Sequence, residues 1–438
     1  MDSTLSFKQR IYEMLMESQY WPPEQMLAYQ RSQLAQLLRH AKANVPFYKT
    51  RLDPVFKING EIDWNRWHEI PIVTRTDLRD RRDEMLATAL PPGHGPTKTF
   101  HSSGSSGVPV SVEATSIASS ANRAATMRQL AYHGIKAKKT RATLVHVNEK
   151  GRFFEEEFYF RNKQEADGGA LLEASDVAIN RGLPDRRKLQ LLKELAVGYL
   201  LENPNNAELL ARANLEFGEG VKLDTIFCTG QKLTAEQKDL FNRSFGARGN
   251  IIYSSKEGGA MGFECGNGPN FHVNSELTLL EIVTPEGTPC EMGRVGRVII
   301  TPFFSTALPL IRYDQGDTAR LLPPCDCKCN LPLLGQIEGR QDQDFVLPNG
   351  RKSITGGIGS SFICTSLNAL AFQLAQTAAL KMEVRYIPAH ADAQIATAPL
   401  IAHFQKLIHP DLEVIFKLVD EIPLNAGGKQ QRFVREFS

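Results

Sequence analysis

The chain lacks an excess of either charge: 51 Lys and Arg stand against 49 Asp and Glu, a formal net charge of +2 over 438 residues. A nucleic-acid partner would call for a basic excess, so this balance favours small-molecule chemistry. Cysteine is scarce as well. Seven cysteines, an odd number, are too few for a disulfide scaffold in a chain of 438 residues. Three of them crowd into Cys325-Asp326-Cys327-Lys328-Cys329, which points to metal binding in a reducing compartment. No signal-like apolar core follows Met1-Asp2-Ser3-Thr4, so cytoplasmic residence is expected. Internal repeats and low-complexity tails are absent. Ser353 to Leu380 carries no charged residue, yet Asn368, Gln373, Gln376 and Gly356-Gly357-Ile358-Gly359 interrupt it. That composition excludes a membrane span and predicts a buried helix from about Ser361 onward.

What is present suits a soluble protein of two or three domains, 42% hydrophobic and 23% charged. Pro23 to Ala43 places Met26, Leu27, Leu34, Leu37, Leu38 and Ala41 on helical spacing after an earlier helix over Phe7 to Glu17. Thr74 or Thr76 can cap a short helix. Farther on, helices over Ser116–His133 and Leu189–Tyr199 and a helix opened by the capping box Thr234-Ala235-Glu236-Gln237 alternate with strands. The strands are Ala142–Val147, Thr225–Cys228 and Ile251–Tyr253, and the alternation argues for an α/β sheet covered on both faces. From Glu276 the texture is strands alone, over Leu277–Val283, Arg297–Thr301 and Ala319–Leu322, which implies a β-rich subdomain. Beyond Gly339-Arg340 the pattern is mixed again. The expected fold is therefore a large N-terminal α/β domain with a β-rich subdomain, residues 1–339, and a small C-terminal α+β domain, residues 340–438.

Six short stretches carry the chemistry. His101-Ser102-Ser103-Gly104-Ser105-Ser106-Gly107-Val108-Pro109-Val110 can wrap N–H groups and hydroxyls around phosphate oxygens, although Gly/Ser runs also serve as plain linkers. No Gly-Lys-Ser/Thr follows its second glycine, so it is not the loop of strand–loop–helix nucleotidases. Tyr253-Ser254-Ser255-Lys256-Glu257-Gly258-Gly259 is a second Ser/Gly turn ending in a carboxylate. Asp314-Gln315-Gly316-Asp317 reads as a turn with two acids behind Leu310-Ile311-Arg312-Tyr313. Gly230-Gln231 follows a strand, Gly339-Arg340-Gln341-Asp342 marks the boundary, and Asn425-Ala426-Gly427-Gly428-Lys429 lies near the chain end. Each alone is an ordinary polar turn.

In this order and spacing they resemble the motifs of the AMP-forming adenylation superfamily of acyl-CoA synthetases. The branch resembled is that of phenylacetate–CoA ligase and its relatives named for capsular polysaccharide biosynthesis. Arg31-Ser32-Gln33-Leu34, Ala43 to Tyr48 and Ile70 to Leu78 look like that branch's N-terminal motifs, so the likeness runs nearly end to end. It implies that Ser103, Gly104, Ser105, Ser106 and Gly107 hold the β- and γ-phosphates of ATP, and that Glu257 helps place Mg²⁺. Tyr253 with Gly230 and Gln231 would enclose adenine and the acyl group. Asp317 would bind the ribose hydroxyls and Arg340 would sit beside ribose and phosphate. Asp342 would be the hinge of a mobile C-terminal domain. Lys429 would bridge the carboxylate and the α-phosphate, where a cation is needed because one anion attacks another; read alone, it is a solvated lysine in a tail loop.

The departures are specific. Serines stand where the family's loop prefers threonines, and Val110 where a lysine often follows the proline. Lys256 replaces a small polar residue and Gln343 a frequent second acid.

Cys265, His272, Cys325 and Cys327 match a Cys…His…Cys-x-Cys arrangement in the capsular-type relatives, which implies a closed, structural zinc site with Cys329 to spare. Cys265 could equally be a buried apolar residue and the cluster a redox-sensitive loop. The resemblance implies an AMP-forming acid–thiol ligase: a carboxylic acid, aryl or arylacetic, goes with Mg·ATP to an acyl-adenylate and then to coenzyme A. Phe153, Phe154 and His146 line the acyl pocket or belong to the core. The alternatives are transfer to an amine or amino acid, and a regulatory homologue that binds nucleotide without chemistry. A homodimer is compatible with each.

Overall fold

The structure is a computed structural model. It describes residues 7–101, 110–134, 139–145, 156–162, 175–230, 233–337, 339–340, 345–350, 352–353, 363, 366–388, 395–423 and 433–437. The α/β expectation holds. Five strands, Thr140–Val145, Asp176–Asn180, Val197–Glu202, Thr225–Cys228 and Arg248–Ser255, run parallel at the centre of a ten-stranded sheet. One face packs on helices Asp185–Glu194, Pro204–Phe217 and Ala235–Phe245 through Leu189, Leu192, Leu210, Phe241 and Phe245. On the other face, Tyr199 and Phe227 meet Leu130 of helix Ser116–Tyr132. Burial on both sides is what gives these strands near-continuous apolar runs.

Past Arg248–Ser255 the sheet turns antiparallel, adding Gly259–Glu264, Phe271–Val273, Leu333–Leu334 and Leu321–Leu322 in that order. A separate four-stranded sheet, Thr278–Val283, Gly296–Pro302, Tyr313–Ala319 and Gly339–Arg340, is the β-rich part foreseen from Glu276. It shares a core with the N-terminal helix Pro23–Asn44 through Leu38, Ala41, Tyr48, Ile300 and Leu310. The C-terminal part has its own core, from Phe345 through Leu374, Val384 and Phe404 to Phe433. There helix Thr397–Leu407 belongs to a unit whose sheet has the order Glu413–Leu418, Lys381–Pro388, Ala369–Ala378, Phe433–Arg435.

Several local expectations hold. Thr74 and Asp77 form a reciprocal capping box for helix Arg75–Asp80, and Thr234 with Gln237 does the same for Ala235–Phe245, which ends at left-handed Gly246.

Three differ. The helix expected over Leu189–Tyr199 is helix Asp185–Glu194 followed by strand Val197–Glu202; Ala196, at φ 47°, breaks the helical path between them. The buried helix expected from about Ser361 is, over Ala369–Ala378, a strand paired on both edges. That interior position explains its freedom from charge. Within it Gln376, fully buried, exchanges hydrogen bonds with the backbone of Val346 (2.7 and 3.0 Å). Finally, Asp314–Asp317 lies within strand Tyr313–Ala319: opposite Arg297 and Ile299 the register jumps, so the expected turn is a bulge with Gly316 at φ 77°. Among the described residues no helix is long and apolar enough to cross a membrane.

Candidate functional site

Glu257 sits at the tip of the hairpin joining Arg248–Ser255 to Gly259–Glu264. Ser255 Oγ accepts the Gly258 N–H (2.7 Å), and Asn122 Oδ1, from helix Ser116–Tyr132, accepts the Ala260 N–H (2.8 Å). Gly259 is required between them. Its φ is +66°, and a Cβ there would lie 2.3 Å from Asn122 Oδ1. The tight turn presses Glu257 inward to 8% exposure, and Arg75 Nη1 meets its Oε1 at 3.2 Å. A buried carboxylate needs such a partner.

Arg75 is placed by a long-range bridge. Val73 N–H donates to Arg312 O and Asp314 N–H to Val73 O, each at 2.9 Å. Arg312, 1% exposed, adopts φ 54° and donates to the carbonyls of His68 (2.6 Å), Ile70 (2.9 Å) and Gly287 (2.9 Å). Tyr313, beside this bridge, has its hydroxyl pKa pushed up by burial first and by the Glu257 charge second. Arg75 falls inside a stretch that the sequence marks only as a family motif; the signal that finds it is the buried acid 182 residues away.

Asp317 and Gln315 meet the same hairpin. Tyr253 OH donates to Asp317 Oδ2 at 2.9 Å, and Ser255 Oγ to Gln315 Oε1 at 3.1 Å. Asp314 turns away, accepting from Gly316 N–H (2.9 Å) and pairing with Arg297 (3.1 Å). Thr229, before Gly230 (φ 79°), shares a hydrogen bond with Ser254 at 3.1 Å. Arg340 pairs with Asp317 through the backbone of the sheet edge. Gly230, Tyr253, Glu257 and Asp317 therefore gather beyond the carboxyl ends of parallel strands, where open α/β sheets hold ligands. The Gly/Ser stretch is approached from its ends: Thr97–His101 pairs antiparallel with Ser111–Thr115, and Val112 and Glu113 line a cavity with Asn122, Lys256 and Glu257. Ser103, Gly104, Ser105, Ser106, Gly107, Gln231, Asp342 and Lys429 lie outside the described residues, as do His146, Phe153 and Phe154.

Cys265, His272, Cys325 and Cys327 come together, each offering a ligand atom within 4.8 Å of the others. The Sγ atoms of Cys265 and Cys325 are 3.7 Å apart, and His272 Nε2 lies 3.1 Å from Cys327 Sγ and 3.7 Å from Cys325 Sγ. Two sulfurs bound tetrahedrally at about 2.3 Å would stand about 3.8 Å apart, a spacing that the Cys265–Cys325 pair meets and the Cys325–Cys327 pair, at 2.8 Å, falls short of. His272 Nδ1 bonds the Leu331 carbonyl at 3.1 Å and so carries the hydrogen, leaving the Nε2 lone pair for the cluster. Burial lowers the His272 pKa, which keeps the ring neutral. Burial also pushes the Cys325 thiol up to about 12. A cation among the sulfurs would offset that cost. Cys329 points elsewhere, packing with Met26, Phe263 and Leu331.

No protein-family model matches the chain. In sequence it is 25% identical over 336 residues to the phenylacetate–coenzyme A ligase of Thermus thermophilus, covering 74% of this chain and 73% of the relative. It is also 25% identical over 337 residues to the enzyme of that name from Escherichia coli, with the same shares covered. Among solved structures, 2-hydroxyisobutyryl-CoA ligase in its postadenylation state with 2-HIB-AMP superposes with a TM-score of 0.71 at 18% identity, over 96% of this chain and 93% of that one. This is the fold of the AMP-forming CoA ligases. An anthranilate CoA ligase in complex with anthranoyl-AMP superposes with a TM-score of 0.54 at 14% identity, over 76% of this chain and 65% of that one.

The likeness to the adenylation superfamily read from the motifs thus holds in sequence and in fold. The described residues make two constellations: Tyr253, Glu257 and Asp317 on the hairpin and the bulge beside it, and a Cys₃His cluster at the far end of that hairpin.

Proposed function

We propose that the chain is an AMP-forming acid–thiol ligase. It activates a carboxylic acid with ATP, releases pyrophosphate, holds the acyl-adenylate and passes the acyl group to coenzyme A. One observation carries the reading most: Tyr253, Glu257 and Asp317, scattered over 64 residues of chain, are drawn onto a single hairpin and bulge by the 2.9 Å Tyr253–Asp317 hydrogen bond. A carboxylate attack on the α-phosphorus needs acceptors for ribose, a hard-oxygen ligand near the phosphates and cations for the accumulating charge.

In this reading Asp317 accepts the ribose hydroxyls, with Tyr253 orienting it and closing the adenine side together with Gly230 and Gln231. Ser103 to Gly107 supply N–H groups and hydroxyls to the β- and γ-phosphates. Glu257 would hold Mg²⁺, whose part is to neutralise phosphate charge. Lys429 stabilises the approach of carboxylate to α-phosphate, and Arg340 lies by the ribose. Residues 340–438 form the mobile unit and rotate about Asp342, removing Lys429 so that the thiol can enter. Cys265, His272, Cys325 and Cys327 would hold a structural zinc, and the reduced thiols fit a cytoplasmic enzyme. An aryl or arylacetic acid is the substrate class proposed, following the two phenylacetate–coenzyme A ligases.

A screen of aryl, arylacetic, fatty and amino acids for ATP-dependent pyrophosphate release tests this reading. At least one acid should release pyrophosphate and AMP, and Lys429→Ala should reduce the rate by about a hundredfold or more. Full activity in Lys429→Ala would remove its role. AMP release that depends on an amine and ignores coenzyme A would move the acceptor to an amide-forming reaction.

A further inference from the structure

Four glutamates are buried among the described residues, and three of them are held by several bonds. Glu202 accepts from Arg181 at both oxygens (2.7 and 2.8 Å), from the Asn203 N–H (2.8 Å) and from Asn206 (3.2 Å). Glu264 accepts from Lys238 (2.5 Å) and from the Ile251 N–H (3.2 Å). Glu276 accepts from Arg128 (2.6 Å) and Ser18 (2.5 Å). Glu257 differs. Its side chain is 5% exposed, yet among the described residues one hydrogen bond reaches its carboxylate, from Arg75 Nη1 to Oε1 at 3.2 Å. Charge-assisted bonds of this kind are usually about 2.7–2.9 Å long. The buried charge is therefore compensated by a single, loose contact.

The group that makes this contact is free to withdraw while its backbone stays. Arg75 opens helix Arg75–Asp80, which the Thr74–Asp77 capping box and the bridge from Val73 to Arg312 and Asp314 fix in place. Its side chain is 30% exposed, and its guanidinium also hydrogen-bonds the side chain of Tyr313, so a second partner is within reach. Lys256 does not take over the acid, because its Nζ is turned to the Phe100 ring, 5.5 Å from the centroid. Beside the carboxylate lies a cavity lined by Val112, Asn122, Lys256 and Gly258. A divalent cation brought by a nucleotide asks for one or two hard carboxylate oxygens, with phosphates and water completing its shell. An acid short of partners at the edge of a cavity fits that demand. Like charges repel, so a guanidinium and a divalent cation compete for it.

We propose that Arg75 is a placeholder on Glu257: it compensates the buried carboxylate while no metal is bound, and yields it when Mg²⁺ arrives with ATP. This rests on the ligase reading above and adds a positioning residue to it. Arg75 keeps the acid aimed between turnovers and retires to Tyr313 in the loaded state. Its presence weakens metal binding, whereas a residue that merely props the acid in place would strengthen it.

Calorimetric titration of the full-length protein with α,β-methylene-ATP, which cannot release pyrophosphate, tests this without knowledge of the acid. The affinity is measured in Mg²⁺ and again in EDTA, and the ratio of the two reports the share of the metal. In Arg75→Met the ratio should rise by about tenfold, the loss of one competing charge-assisted bond. Arg75→Lys should stay within about threefold of the wild type. Arg75→Gln, which removes the charge and keeps a donor, should also raise the ratio, and it decides the matter if the methionine variant does not fold. An unchanged or lower ratio in the uncharged variants would overturn the placeholder. Glu257→Gln should lower the ratio by about tenfold or more; an unchanged ratio there removes the metal from Glu257, and the placeholder with it, while the nucleotide site stands. A wild-type protein that binds the nucleotide in neither condition would remove the ligase reading itself.

Discussion

Arg128 and Glu276 have no exposed side-chain surface and meet at 2.6 Å. Arg128 also donates to Leu15 O (3.1 Å) and to Asn274, and lies over the Phe263 ring, while Ser18 donates to Glu276 at 2.5 Å. These bonds tie helix Phe7–Ser18 to helix Ser116–Tyr132 and to the start of the β-rich sheet. Breaking a buried pair from one side strands the other charge, at a cost of about 3–5 kcal/mol. Arg128→Met should lower the stability of the main denaturant transition by that amount; a loss below about 1 kcal/mol would contradict this account of the network.

His133, at the end of helix Ser116–Tyr132, has its pKa pushed down to about 4 by burial and then by the charges of Arg248 and Lys238. Its unfolded value is near 6.5. The folded state thus binds fewer protons, and the stability contribution, complete above about 6.5, is lost as pH falls toward 4. His133→Phe should flatten the decline in melting temperature across that window. A decline as steep as the wild type's would show that other groups cause it.

At the scale of elements, the hairpin around Glu257 is a clamp made by helix Ser116–Tyr132. Gly259→Ala would drive a Cβ to within 2.3 Å of Asn122 and strain a left-handed residue. A displacement of the acid by about an ångström should cost pyrophosphate exchange about a hundredfold. Removing the obstacle with Asn122→Ala should restore part of that activity. If the double variant is no better than Gly259→Ala, the clash is not the cause.

The hairpin turn around Glu257 was legible because Gly and Ser announce local backbone geometry, whereas Asp314–Asp317 reads as a turn and is a bulge. The capping box at Thr234 was legible from its residues, and Thr74 was one of the two caps that the sequence offers for helix Arg75–Asp80. The strand Ala369–Ala378 looks helical in sequence because an uncharged run shows burial and not period: Phe372 and Leu374 alternate, but Gln373, Ala375 and Gln376 are buried too. The break at Ala196 was hidden because alanine seldom takes a positive φ. Arg75 and Arg312 were out of reach, since what each one holds lies far away in the chain. Asp314 and Asp317 look equivalent in sequence, and only the bulge shows that Asp317 faces Tyr253 while Asp314 faces Arg297.

For the whole molecule, the Cys₃His cluster joins the far end of the Glu257 hairpin to the loop that packs under the N-terminal helices. Asn330 N–H donates to Gln19 O at 2.7 Å, and Cys329 and Leu331 pack on Met26. A metal there would staple these layers outside the reaction crevice. Elemental analysis should find about one zinc per chain. Its removal by a chelator should lower the melting temperature, and Cys325→Ser should do the same without zinc. Protein free of zinc with an unchanged melting temperature would dispose of the site.

The central claim is that separate polar turns assemble around one ATP whose α-phosphorus is attacked by a carboxylate. Acid-dependent exchange of labelled pyrophosphate into ATP, compared between wild type and Glu257→Gln, tests it most directly. The account predicts exchange that requires both acid and Mg²⁺ and falls by about a hundredfold or more in Glu257→Gln. Products of ADP and phosphate, or exchange undiminished in Glu257→Gln, would contradict it.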